Sequence, residues 1–384
     1  MKVQVQGYCD DKFKAVKDAF RKNFEDDLEV GASFAATVDG KFVVDIWGGY
    51  ADTAMTQPWE KDTIVNVFST TKNMASICTL MLVDRGLIDV DAPVAKYWTE
   101  FAQAGKEKIP VRYLLGHRSG VAGWDEPFPV PALYDWDRMI KLLEKQKPMW
   151  EPGKQCGYHA LTFGYLLGEL VRRITGKTIG TFFREEVAEP LKADFYIGVP
   201  EEADRRVSKL IPPPVAKPGE PGYLEMDLNT VAGRVMANPA APAEASWERV
   251  WRAAEIPAAN GHGNARSLAR IGAAIACGGE LDGVRLMGLP TIEKALEEQI
   301  YDTDLVMNVR VRYGLGFGLP SQEMPVSPNP RTLFWGGWGG STMAMDLDAR
   351  LSYGYAMNKM WDVATNPVDT RTIEMVKALY DSLA

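Results

Sequence analysis

Strand signals stand at the two ends of this sequence and helix signals fill its middle, and that distribution limits the fold more than any other feature. Near the start, Ser33 to Val38 and Lys41 to Trp47 are strand-like, and Asp39-Gly40 between them forms a two-residue turn because both residues tolerate positive φ. Near the end, Thr342 to Asp346 and Leu351 to Met357 form a second hairpin around Leu347, Asp348, Ala349 and Arg350. With 384 residues the chain has length for two domains. Residues 1–86 together with 265–384 are expected to form one α/β domain, interrupted by a mainly helical domain over 87–264. Any active site is expected in the cleft between them.

Helix patterns fill the remaining stretches. Phe13, Val16, Ala19 and Phe20 recur at helical spacing and predict a surface helix over about residues 10–26. Met74, Ile77, Cys78, Met81 and Leu82 mark a stripe on a helix running from Ser69 to Arg85, and Gly86 supplies its stop. Val111 to Leu115, Arg138 to Leu143, Leu161 to Thr175 and Gly180 to Val187 read as helices joined by Pro- and Gly-rich loops, and Asp369 to Leu383 as the last helix. The prolines of 211–221 lack amide donors, so this stretch is expected to be a long loop, either a surface excursion or a lid beside a cleft.

Composition removes several function classes. With 46% hydrophobic and 24% charged residues the chain is neither disordered, collagenous nor a coiled coil. A net charge of −8 and no local basic stripe argue against a nucleic-acid partner. No apolar run approaches the length that spans a bilayer, and no export signal opens the sequence, so neither a membrane partner nor an anchor is expected and the expected location is cytoplasmic. Cys9, Cys78, Cys156 and Cys277 form no C-x-x-C pair and are read as free thiols. His117, His159 and His262 have no metal-site spacing, and the Walker, dinucleotide-binding and Gly-x-Ser-x-Gly motifs are missing, so neither a metal nor a nucleotide cofactor is expected.

One tetrad carries chemistry. In Phe68-Ser69-Thr70-Thr71-Lys72, a spacing of three residues on a helix puts the Ser69 hydroxyl and the Lys72 amine on one face. Lys72 can take the serine's proton once burial or a cationic neighbour lowers its pKa from about 10.4 toward neutrality. The positive end of the helix favours negative charge developing at Ser69. Four residues recur by chance, and taken alone the tetrad fits an N-capping Ser69 followed by a solvated Lys72 better than a catalytic pair.

Three further segments accompany it: Tyr113-Leu114-Leu115-Gly116-His117-Arg118-Ser119-Gly120, Pro152-Gly153 running to Tyr158-His159-Ala160, and Trp335-Gly336-Gly337-Trp338-Gly339-Gly340-Ser341. In order and spacing the four segments resemble the serine β-lactamase and penicillin-binding-protein superfamily, and within it most closely the family VIII carboxylesterases and their class C β-lactamase relatives. The resemblance implies a β-lactamase/transpeptidase-like α/β (α+β) fold, an antiparallel sheet flanked by helices with an inserted helical domain. It gives Ser69 the role of nucleophile, with Lys72 and a partly ionised Tyr158 managing protons. It places the amides of Ser69 and Trp338 in an oxyanion hole. Trp335, Gly336, Gly337 and His159 are its substrate-binding residues, with Tyr223, Trp247 and Trp251 further candidates for the acyl pocket. His117 is expected to be scaffold.

Two positions depart from the family pattern. Ala160 stands where lactamases and peptidases usually carry an asparagine that holds a substrate amide. Trp335 replaces the lysine of the K-T-G strand, exchanging a cation for an aromatic wall. Both changes favour small neutral esters over peptides and β-lactams. The implied activity is a cofactor-free serine carboxylesterase for short-chain acyl esters, with weak β-lactam hydrolysis on the side. A β-lactamase or D-amino-acid peptidase, and a catalytically silent binding module, are the alternatives; oligomeric state is left open.

Overall fold

The computed structural model describes residues 3–214, 226–362 and 368–383. Its centre is a six-stranded sheet of β1 (Gln6–Cys9), β2 (Gly31–Val38), β3 (Lys41–Gly49), β4 (Thr332–Gly336), β5 (Thr342–Asp346) and β6 (Leu351–Met357). The strand order is β1-β3-β2-β6-β5-β4, antiparallel throughout. Both expected hairpins form, and Asp39 and Gly40 take φ of 49° and 75° at the first turn. The two ends of the chain meet where β2 pairs with β6, Ala35 opposite Gly354.

Helices close both faces. Helix α1 (Lys14–Glu25) buries Val16 and Phe20 of the expected stripe together with Phe24, leaves Ala19 half-buried, and packs with the last helix, α5 (Thr370–Asp381). On the other face lies α4 (Ala265–Ala276), started by a reciprocal cap between Asn264 and Ser267. It lies close enough that a Cβ on Gly354 would collide with Leu268 and the Ala265 carbonyl.

Helix α2 (Lys72–Asp84) differs from its sequence pattern. The stripe predicts one buried face, yet every residue from Lys72 to Leu82 is buried. The polar residues between the apolar ones are short and satisfied internally: Ser76 donates to Gly316 O at 2.6 Å and Thr79 to Ala75 O at 2.9 Å. One side of α2 meets α3 (Thr162–Thr175), the main helix of the middle region, and the opposite side reaches β4. The chain enters α2 from strand Ile64–Asn66, part of a small sheet with Phe195–Tyr196, Val207–Ser208 and His262–Gly263.

Of the proline-rich stretch, Ile211 pairs with Lys359 beside the main sheet, whereas residues 215–221 of the expected loop and Tyr223 lie outside the described residues. Of the four free cysteines only Cys78 and Cys156 are fully buried. Among the described residues no helix is long and apolar enough to cross a membrane, and no group of three or more His, Cys, Asp or Glu is placed to hold a metal ion.

Candidate active site

The backbone just before α2 is unusual. Phe68 sits in the left-handed region at φ 40°, a conformation a bulky residue adopts only when its surroundings impose it. It opens a single 3-10 turn, Phe68–Thr71, in which Ser69 is part-buried and uncapped by any side chain. Val67 N–H donates to Gly261 O at 2.9 Å, and the Val67 carbonyl accepts from the Ser341 hydroxyl at 2.8 Å. Thr70 Oγ1 meets Ser341 Oγ at 3.0 Å. The turn that carries Ser69 is thus held from both sides, through contacts of Thr70 and Ser341 that the segments containing them do not reveal.

Lys72 opens α2 three residues later and is fully buried. Its Nζ lies 3.1 Å from Ser69 Oγ, 2.8 Å from Tyr158 Oη, 2.8 Å from Ala160 O and 3.0 Å from Ala258 O. Burial, with no compensating carboxylate, lowers its pKa well below the usual lysine range. A neutral amine has two N–H donors and one lone pair. With the donors on the two carbonyls, the lone pair is left to the hydroxyls of Ser69 and Tyr158, which is the disposition of a general base.

Tyr158 comes from a loop, and the structure shows what aims it. Its backbone N–H donates to Asp304 Oδ1 at 3.0 Å, and the same carboxylate accepts from Val306 N and Met307 N and, through Oδ2, from the Tyr313 hydroxyl. Gly157 N–H donates to His117 O and His159 N–H to His117 Nδ1. The phenol lies 2.5 Å from Ser69 Oγ. The expectation of a partly ionised phenol is corrected here: burial pushes its pKa up to about 12, only partly opposed by hydrogen bonds from Ser69 and Trp335, and the Asp304 charge raises it further. Burial lowers the amine of Lys72 and raises the phenol of Tyr158, so of the two the amine is the group suited to accept a proton. Asp304 escaped the sequence reading because it belongs to none of the four segments.

His159 is also corrected. It was expected on the substrate side, but it is fully buried, with Nε2 at 2.6 Å from Ser119 Oγ and Nδ1 at 2.7 Å from Gly157 O. Burial lowers it to about 4, so it is a neutral pin of the Tyr158 loop rather than a group facing a ligand. His117 is the scaffold it was expected to be, neutral and packed among Tyr158, Phe163, Tyr313 and Trp335.

The β4 end supplies the opposite wall. Trp335 is only 7% exposed and stacks between Tyr158, at 6.0 Å, and Tyr313, at 5.6 Å, so it backs the phenol more than it faces solvent. Gly336 is exposed. At Gly337 the strand runs so close that a Cβ would collide with the Val67 carbonyl, which is why glycine stands there. Trp338, 44% exposed, lays its ring 5.0 Å from that of Phe68. Of the further aromatic candidates, Trp251 is buried and donates to Asn66 Oδ1, and Trp247 donates to Leu210 O and is half-exposed, so both are tied into the scaffold.

A family model described as Beta-lactamase matches residues 20–375. The chain is 41% identical to a family VIII carboxylesterase of known structure, with a TM-score of 0.91 and coverage of 99% of this chain and 100% of that one. It is 36% identical to a penicillin-binding protein homolog from Caulobacter crescentus, with a TM-score of 0.89 over 99% and 100% of the two chains. It is also 34% identical to the esterase/beta-lactamase LipL of Mycobacterium tuberculosis, across 93% of this chain and 83% of that protein.

Proposed function

Starting from the fact that this chain belongs to the Beta-lactamase family and is a serine hydrolase close to the family VIII carboxylesterases, we propose that it cleaves short-chain acyl esters through an acyl-enzyme on Ser69. One observation carries the reading: a hydroxyl, a fully buried amine and a phenol lie within 2.5 to 3.1 Å of one another.

In the proposed cycle Ser69 Oγ attacks the ester carbonyl carbon while its proton passes to the Lys72 lone pair. The negative charge on the carbonyl oxygen is met by the backbone N–H groups of Ser69 and Trp338; among the described residues no carbonyl takes up either N–H. The tetrahedral adduct collapses, the carbon–oxygen bond to the alcohol breaks, and the departing oxygen takes a proton from Tyr158, which is replenished from Lys72 at 2.8 Å. Water then repeats the sequence in the other direction and frees the acid.

The choice of ester rests on what surrounds Ser69. Phe68, Tyr158 and Trp338 are aromatic, Trp335 backs the Tyr158 ring, and no cation stands at Trp335 to attract a substrate carboxylate. Ala160 has no amide to hold a peptide or β-lactam side chain, and its carbonyl is already taken by Lys72. This supports neutral esters with a small acyl group, with β-lactam hydrolysis as a slow side reaction of the same acyl-enzyme chemistry.

The test is hydrolysis of p-nitrophenyl acetate and butyrate. Ser69→Ala is expected to abolish turnover, and Lys72→Ala to lower kcat by about 10²–10⁴-fold. Equal rates for the wild type and both variants would exclude the assignment. Adduct formation by a fluorophosphonate, located by mass spectrometry, separates a hydrolase from a silent module: the adduct is expected on Ser69.

A further inference from the structure

Arg371 is a fully buried cation bonded to the turn that carries Trp338. The residue lies in the first turn of α5 and is 0% exposed. Its Nε and Nη2 donate to the Asp369 carboxylate at 2.9 and 2.6 Å, and Nη1 donates to Lys359 O at 2.7 Å. Glu29 Oε2 lies 3.4 Å from Nη1, and the other oxygen of Glu29 accepts from the Tyr355 hydroxyl. Nη2 also donates to Gly339 O at 2.6 Å.

That last bond reaches the candidate oxyanion turn. Gly340 N–H donates to Gly337 O at 3.0 Å, and Gly339 has φ 97°, the signature of a type II turn with Trp338 in its second position. Closing the Gly337 carbonyl into this turn directs the Trp338 N–H the opposite way, because C=O and N–H of a trans peptide point to opposite sides. Two residues on, Gly339 O is held by the Trp361 N–H at 2.9 Å and by Arg371. A Cβ on Gly340 would run into Arg371 and Asp369, so the turn rests directly on the ion pair. Burying a guanidinium is costly unless every donor is used, and here the fork geometry serves a helix start, a strand end and the turn at once.

We propose that Arg371 is a positioning residue for catalysis: through Gly339 O it fixes the Gly337–Gly340 turn in the setting that aims the Trp338 N–H at the substrate oxyanion. The inference rests on the reading of Trp338 N–H as an oxyanion donor, and the two are separable by a double-mutant cycle on the full-length protein. Trp338→Pro deletes that N–H while suiting the second position of the turn, where proline is favoured. Arg371→Lys keeps the charge but cannot bond Asp369, Lys359 O and Gly339 O together.

With p-nitrophenyl acetate, W338P is expected to lower kcat by about 100-fold, the loss of one oxyanion donor. R371K is expected to lower kcat by about 10-fold with KM within about 2-fold, and to lower it by less than about 2-fold in the W338P background, because residues acting through one group are not additive. A folded R371K with wild-type kcat, or with the same loss in both backgrounds, overturns the role of Arg371 and leaves the oxyanion reading standing. Wild-type kcat in W338P overturns the oxyanion reading and the role of Arg371 with it. Asp369→Asn, which keeps the helix cap while weakening the pair that aims the guanidinium, enters the same cycle if R371K does not fold, with the same two outcomes deciding.

Discussion

The protonation states of two side chains decide what Ser69 can do. Sequence spacing brings Lys72 to the serine's side of the turn, but whether it is an acid or a base there depends on its surroundings, and burial without a carboxylate makes it a base. The same burial keeps Tyr158 protonated. A base whose pKa is depressed loses function as pH falls through that depressed value, so kcat/KM is expected to show an acid limb from Lys72. No alkaline limb from Tyr158 is expected until pH nears about 12. A pH–rate profile checks this; an alkaline limb near neutrality that disappears in Tyr158→Phe would show that the phenol ionises after all. Tyr158→Phe is expected to lower kcat by about 10²–10⁴-fold, the range for losing a proton-transfer group, with Ser69 still accepting a fluorophosphonate more slowly.

Among the elements, α2 separates what periodicity can say from what it cannot. A stripe of apolar residues identifies the helix and one of its faces, while Ser76 and Thr79 look solvent-facing until Gly316 and the helix's own carbonyls take their hydroxyls. The helix Trp136–Lys145 ends on a comparable device. Lys106 is fully buried and donates to Gln103 O, Glu144 O and Gln146 O at 3.0, 2.8 and 2.7 Å, closing the helix C-terminus against a preceding loop. Lys106→Met strands those carbonyls and is expected to lower stability by about 1–3 kcal/mol with kcat unchanged. Urea unfolding and ester hydrolysis of the same variant read both halves of that statement. Nothing in the local sequence marks Lys106, because two of its three partners lie on another segment.

One large buried cluster runs through both halves of the described molecule, with smaller clusters beside it. Phe34 and Tyr353 of the main sheet belong to the same buried cluster as Leu166 and Leu170 of α3, joined through α2. The sheet side and the helical side are therefore expected to unfold together, since a shared core leaves neither half a separate interior. Hydrogen exchange along a urea series checks this: amides of β2 and α3 should lose protection at one urea concentration, and two well-separated steps would refute it. The antiparallel sheet and its flanking helices were legible from the two hairpins and the helical stretches between them. The pairing of β2 with β6, which makes one sheet of two hairpins, needed only the inference that exposed strand edges seek partners.

Residue type and short-range spacing are local properties, so the sequence by itself determined the hairpin turns, the helical stretches, the serine–lysine tetrad and the glycines that let a strand approach it, though not that the helix expected from Ser69 starts at Lys72. Burial and long-range hydrogen bonding depend on which distant segments meet, and the tertiary structure alone decided the rest. It buried Lys72 and Tyr158 together, lowering the pKa of the amine and raising that of the phenol. It withdrew His159 from the cleft into a bond with Ser119, and set Asp304 and Arg371 behind groups far from them in the chain. A pKa is fixed by the dielectric and charges around an atom, and no stretch of sequence carries those until it is folded.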